Sequence, residues 1–195
     1  MKNNQKDRII DLLYDNSADL RHPLHVTYLS ERLFDELKPL HNLGEHEKDL
    51  LIYASMLHDT GLLLSSKEHH KFSARFILKT DIAHVNDNDK YIIANIARYH
   101  RKALPSDNHK IYNNLSENDK KTVDILASIL RIADGLDRTH LSLIKDIKIK
   151  TEDNKINIYY LSPKRFLPEE VAALKKSDLF EKIFKREVSV DWQKA

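Results

Sequence analysis

Val123, Ile125, Leu126, Ile129, Leu130, Ile132 and Ala133 leave little choice but a strongly buried helix. Ser116-Glu117-Asn118-Asp119 ahead of them has the form of a capping box, and the run ends in Asp134-Gly135-Leu136-Asp137-Arg138. So apolar a helix needs others around it, and the chain supplies them. Leu50, Ala54 and Leu57 fall at i, i+4 and i+7 spacing. Leu24, Tyr28, Leu29, Leu33, Phe34 and Leu37 trace a face running from Pro23, suited to a first turn, up to Pro39. Tyr91, Ile92, Ile93, Ile96 and Ala97 follow the loop and N-cap signal Asn86-Asp87-Asn88-Asp89. Ile9, Ile10, Leu12 and Leu13 predict a short amphipathic helix ending near Asn16-Ser17, and Phe72, Phe76 and Ile77 predict another short apolar face.

The pattern changes after residue 142. Ile147 and Ile149 alternate with lysines, Glu152-Asp153-Asn154 is a turn signal, and Ile156, Ile158 and Tyr160 alternate again, which predicts a β-hairpin. A helix is expected from Pro168-Glu169-Glu170 through Val171, Leu174, Leu179, Phe180 and Phe184, and Val188 to Trp192 reads as a closing strand. The expected fold is therefore mainly α: a helical bundle over residues 1–142 and a small α+β appendage, packed on it, over 143–195.

Composition narrows the function. Thirty-two basic and 30 acidic residues nearly cancel, and the basic ones show no aromatic interleaving beyond Tyr99, so no nucleic-acid or membrane surface is expected. The absence of cysteine excludes disulfides, thiolate metal sites and a cysteine nucleophile. Three glycines exclude a glycine-rich phosphate loop. No apolar run reaches the roughly 18 residues of a membrane span, and Met1-Lys2-Asn3-Asn4-Gln5 lacks the apolar core of a signal peptide, so a cytoplasmic location is expected.

Eleven histidines stand out against this background. His58 and Asp59 close the Leu50–Leu57 helical run, where a polar pair needs a partner, and a divalent cation satisfies imidazole and carboxylate together. The plainer alternative is a solvated helix end stopped by Gly61. His25 sits beside the apolar stripe of its helix, as a ligand or as a solvated residue. Of the adjacent His69 and His70, only one is expected to aim at a given ion. His100, within Arg98-Tyr99-His100-Arg101-Lys102, is either a ligand among anion-binding cations or part of a basic helix end facing the helix dipole. Asp134 continues the Leu126–Leu130 face at i+4 and points where the core points, with Arg131 or Arg138 as alternative partners.

An isolated histidine, the Leu57-His58-Asp59-Thr60-Gly61 doublet and the later Arg131-Ile132-Ala133-Asp134 together resemble the ordered signature of HD-domain metal-dependent phosphohydrolases. Leu33-Phe34-Asp35-Glu36-Leu37, His69-His70-Lys71, Arg98-Tyr99-His100-Arg101-Lys102 and Leu130 to Arg138 are similar to the carboxy-terminal HD-like region of the exopolyphosphatase and guanosine pentaphosphate phosphohydrolase family, over roughly residues 20–192. The large actin-like ATPase-type domains that precede this region in that family have no counterpart in these residues, so a free-standing HD region is expected. The resemblance implies one ion held by His25, His58, Asp59 and Asp134, extended to a pair by His70 and His100 with Asp59 bridging. His58 and Asp59 would then be catalytic.

The implied chemistry is hydrolysis of a phosphate ester or anhydride in a nucleotide, alarmone or polyphosphate-like small molecule, with a metal-activated water as nucleophile. Lys71, Arg101, Lys102 and Arg138 are the expected substrate contacts. Asp137 is a candidate for proton transfer or for orienting a ligand, with a salt bridge to Arg138 or Arg101 as the structural alternative. The oxygen and nitrogen donors suit Mn²⁺, Mg²⁺, Fe²⁺, Co²⁺ or Ni²⁺, one or two per site. The alternative function is a non-catalytic module that binds phosphate, polyphosphate or nucleotide, or that mediates dimerisation. Either way the resemblance implies a homodimer.

Overall fold

The residues from Val123 to Ile132 that demand burial receive it: Val123, Leu126, Ile129, Leu130 and Ile132 are all 0 % exposed. The computed structural model describes residues 3–16, 19–82 and 84–195. Within these, the chain runs α1 (Asn3–Asn16), α2 (Arg21–Glu36), α3 (Lys38–His41), α4 (Glu45–Leu57), a 3-10 turn (Thr60–Leu63), α5 (His69–Lys79), α6 (Asp87–Arg98), α7 (Lys110–Asn113) and α8 (Glu117–Gly135). Then follow β1 (Asp146–Thr151), β2 (Lys155–Ser162), α9 (Leu167–Lys175), α10 (Asp178–Phe184) and β3 (Glu187–Lys194). The fold is mainly helical with a small three-stranded sheet near the C-terminus. Ser17, where the first helix was expected to end, lies outside the described residues.

α8 packs against α2, α4 and α6 and forms the axis of the bundle. Its start is fixed by Ser116 Oγ, which accepts from the Asp119 amide at 3.1 Å. Likewise, Asn86 Oδ1 accepts from the Asp89 amide at 2.9 Å to open α6. At α4, the Glu47 carboxylate accepts from the Gly44 amide at 2.8 Å. All three helix starts are fixed by polar side chains, and for α8 and α6 these are the residues that signalled them.

The hairpin forms, with Asp146 opposite Leu161 and Thr151 opposite Ile156. β3 adds to the other side of β2 in parallel, Lys155 opposite Glu187. A parallel pair needs a long crossover, which α9 and α10 provide. The sheet is fastened to α2: Arg32 Nε donates to Asp146 at 2.7 Å, and the Ile149 amide donates to Glu36 at 3.2 Å.

Two expectations are corrected. The single helix foreseen from Pro168 to Phe184 is broken into α9 and α10 at Lys176-Ser177. There the Ser177 hydroxyl turns back to the Leu174 carbonyl at 2.7 Å, and Asp178 is drawn away by Arg131. Secondly, α2 begins at Arg21, ahead of Pro23. Proline is tolerated there because first-turn amides have no intrahelical acceptor. Packing against α4 and α8 buries His22, Val26, Leu29 and Leu33, while the expected face residues Leu24 and Tyr28 are 40 % and 38 % exposed. α2 does end ahead of Pro39, at Glu36, and Pro39 lies in the first turn of the short α3.

A candidate metal centre

Six polar residues converge where the ends of α2, α4, α5, α6 and α8 meet. His58 follows α4 directly, Asp59 leads into the 3-10 turn, His69 opens α5, His100 lies just past α6, and Asp134 lies in the last turn of α8. His22 enters from the first turn of α2. Asp59 stands between two groups. Its Oδ2 lies 3.6 Å from both His22 Nε2 and His58 Nε2, which also face Asp134 Oδ1 at 3.3 and 3.8 Å. Its Oδ1 lies 3.2 Å from His69 Nε2 and 3.7 Å from His100 Nε2. Two clusters result, His22–His58–Asp134 and Asp59–His69–His100, each tight enough for its ligand atoms to share an ion.

The local chain aims these rings. His58 Nδ1 donates to the Ser55 carbonyl at 2.7 Å, His69 Nδ1 to the Ser66 carbonyl at 3.0 Å and His100 Nδ1 to the Ala97 carbonyl at 2.6 Å. In each case the acceptor lies three residues back. A carbonyl only accepts, so Nδ1 carries the proton and a neutral ring turns the Nε2 lone pair to the centre. His22 is held at Nδ1 by Asp137 Oδ2 at 2.8 Å, and Asp137 Oδ1 is fixed in turn by the Ser142 amide at 2.8 Å. A carboxylate behind a histidine is the usual way to fix a ligating ring.

The electrostatics favour ligand-ready imidazoles on one side of Asp59. Burial drives His100 well below the ordinary histidine range, and burial also lowers His69 despite the pull of Asp59. Burial alone would depress His22, but its contacts with Asp134 and Asp137 reverse this and hold it at about 9. Burial pushes the Asp134 carboxyl up, yet Lys176 and His22 outweigh it and keep Asp134 well below the carboxylate range. Asp59 is likewise lowered against its burial by His58 and His100.

Several atoms of the centre are left without a partner. His22 Nε2, His58 Nε2 and Asp59 Oδ1 are buried without a hydrogen-bond partner, and His69 Nε2 and His100 Nε2 face each other at 3.2 Å. Two imidazole lone pairs at that distance repel unless a proton or cation lies between them. The donor set, nitrogen and oxygen without sulfur, fits a divalent ion.

A cleft of about 660 Å³ opens onto Asp59, Asp134, His69 and His100, and its walls carry Arg101, Lys102, Arg131, Arg138, Lys175 and Lys176. Arg131 is already engaged, forked onto Asp178 at 2.8 and 3.0 Å and donating to the Tyr99 carbonyl at 3.0 Å. Lys176 pairs with Asp134. His140, also in the wall, stacks flat on His22 at 3.6 Å between ring centroids. Both Lys102 and His140 have left-handed backbones, φ 58° each. Such conformations are uncommon outside glycine and tend to gather at functional sites.

Two glycines let the walls come this close. A Cβ on Gly61 would lie 2.3 Å from the His69 carbonyl oxygen, so only glycine allows the turn after Asp59 to approach α5. A Cβ on Gly135 would lie 2.6 Å from Ala173 Cα, so only glycine lets α9 lie on α8 beside Asp134.

Of the expected ligands, His58, Asp59, His100 and Asp134 come together. His25 and His70 do not join either cluster; His22 and His69 stand in their places. His25 lies one turn along α2 beside Tyr28, with its Nε2 buried but outside both clusters, because burial of Val26 and Leu29 turns His22 to the centre instead. His70 is buried one residue past His69, with its ring perpendicular to it and 6.0 Å away. The sequence did carry the signal for His22, which shares i, i+4, i+7 and i+11 spacing with Val26, Leu29 and Leu33. Arg101, Lys102 and Arg138 line the cleft, whereas Lys71 is turned to Glu68. Asp137 lies behind His22, away from the cleft wall. Lys175, Lys176 and His140 were not anticipated, since nothing in their spacing ties them to the histidines.

No helix among the described residues is long and apolar enough to cross a membrane. The family model described as Ppx/GppA phosphatase, domain III, matches residues 7–182, a span that contains every cluster and cleft residue named above. The chain therefore belongs to the Ppx/GppA phosphatase family, as a copy of its domain III.

Proposed function

We propose that this chain is an HD-type metal-dependent phosphohydrolase whose centre holds two divalent ions bridged by Asp59. The observation that carries the reading is the pair His69 Nε2 and His100 Nε2, 3.2 Å apart with both Nδ1 protons already committed to backbone carbonyls. His22, His58 and Asp134 would hold one ion, His69 and His100 the other, with one oxygen of Asp59 turned to each. Bound there, such ions would lower the pKa of a water and neutralise phosphate oxygens. The chain's own part is to orient and to bind. Asp137 and the three carbonyls fix the rings, and Arg101, Lys102 and Arg138 offer charge-assisted donors to a phosphorylated small molecule such as a nucleotide, alarmone or short polyphosphate.

The domain III relationship supports a phosphorylated ligand. A cytoplasmic homodimer is part of the proposal. Leu167, Val171 and Leu174, 56 %, 64 % and 49 % exposed at i, i+4 and i+7 on α9, offer a face for pairing, and sedimentation showing only monomer would remove it. The central test is phosphate release from a panel of phosphorylated compounds with Mn²⁺, comparing the natural chain with Asp59→Ala. Turnover that disappears in a folded Asp59→Ala chain bears the reading out. Lack of turnover on every compound, in protein shown to hold metal, replaces the hydrolase with a phosphate-binding module.

A further inference from the structure

Asp134 uses its two oxygens for different purposes. Oδ1 faces His22 and His58 at 3.3 and 3.8 Å, while Oδ2 is taken by the Lys176 ammonium, which reaches over from the C-terminal end of α9. The fold brings the lysine there. Gly135, next to Asp134, lies so close to Ala173 that no side chain fits between α8 and α9, and the Lys176 amide is bonded to the Ala172 and Ala173 carbonyls, each at 3.1 Å. Its side chain is 22 % exposed and forms part of the cleft wall. The ammonium therefore touches a candidate ligand on one side and the space open to substrate on the other. Of the other cations in the cleft wall, Arg101 lies on the His69 ring of the second cluster at 3.1 Å, and Arg131 is forked onto Asp178.

Resting on the metal-site reading above, we propose that Lys176 is a positioning residue that exchanges metal affinity for phosphate affinity. By occupying Oδ2 it confines Asp134 to one oxygen towards His22 and His58. It also places a positive charge beside the ion held there, so that ion is bound less tightly than its donors alone would allow. An ion held there would keep charge for a phosphate oxygen, and the ammonium offers a second contact from the same side. The ligand class follows: an anion with oxygens spaced to meet an ion and an ammonium together, as a tetrahedral phosphate has.

The test measures two affinities that must move in opposite directions. In Lys176→Met, calorimetric titration with Mn²⁺ should show the His22–His58–Asp134 position binding tighter by about tenfold or more, since removing a unit positive charge a few ångströms from a partly buried cation is worth at least that. Inorganic phosphate titrated into the Mn²⁺-loaded variant should bind correspondingly weaker. Lys176→Arg keeps the charge and should hold both constants near those of the natural chain. A purely structural role would weaken both affinities together, and that result overturns the inference, as does an unchanged Mn²⁺ constant in Lys176→Met. Should Lys176→Met fail to fold without metal, the gain in melting temperature on adding Mn²⁺ to Lys176→Gln replaces calorimetry; a gain no larger than in the natural chain also overturns it. A natural chain that binds no Mn²⁺ at all defeats the metal-site reading itself, which separates the two failures.

Discussion

Gly135→Ala sets two effects of opposite sign against each other. Alanine is the better helix former, so within α8 the change would stabilise by at most about 1 kcal/mol. Against this, the new methyl would stand 2.6 Å from Ala173 Cα, 2.7 Å from Ala173 N and 2.9 Å from the Ala172 carbonyl carbon, short of the 3.4 Å at which ordinary contact begins. All three neighbours are backbone of α9, so no side chain can turn aside and the helix itself must retreat. Overpacking of this kind costs about 1 to 3 kcal/mol and sometimes more. Packing should win, leaving a net loss of about 1 to 2 kcal/mol. For a chain of this size that corresponds to a melting temperature lower by roughly 2 to 8 °C, with a matching fall in urea midpoint. A Gly135→Ala protein that melts at or above the natural temperature would refute the argument, because it would show that α9 is not tightly seated on α8 and that Lys176 is not held at Asp134 by this contact.

The other predictions concern the centre. Mn²⁺ affinity should collapse in His22→Ala and His69→Ala but change little in His25→Ala and His70→Ala; equal losses within either pair would place the ligands wrongly. Asp137→Asn keeps its shape but loses the charge behind His22, and calorimetry should show roughly 10- to 100-fold weaker binding at that position, with an unchanged constant counting against it. His22 gives a pH signature. Raised to about 9, its charged form stabilises the metal-free fold fully below its ordinary pKa near 6.5, and that contribution fades as pH climbs through 9. An ion must displace the same proton, so Mn²⁺ affinity should rise about tenfold per pH unit up to 9, accompanied by release of one proton measurable in buffers of different ionisation enthalpy. A flat profile would show that His22 is already neutral.

Where the apolar period was long, the sequence was easy to read: α4, α6 and α8 lie where their periods put them, and with them His58, Asp59, His100 and Asp134. The errors arose where two adjacent choices satisfied the same local rule. His22 and His25 are both near the start of α2, and only the turn of the helix around Val26 and Leu29, set by burial against α4 and α8, separates them. His69 and His70 differ by one residue at a helix start that no polar cap announces. Lys176 is a different case, since its role comes from a glycine forty-one residues earlier, and no periodicity links the two.

The recurring bond from a histidine to the carbonyl three residues behind it has a consequence for assembly. Ser55 with His58, Ser66 with His69, and Ala97 with His100 are short cassettes, each orienting its own ring through contacts within one turn of chain. Because each bond is local to its own helix end, the rotamer freedom a ligand would otherwise surrender on binding is already restricted without help from a neighbouring helix. What stays adjustable is the spacing between helix ends, so in a centre that holds metal the reach for ions of different radius would follow from how α4, α5 and α6 dock.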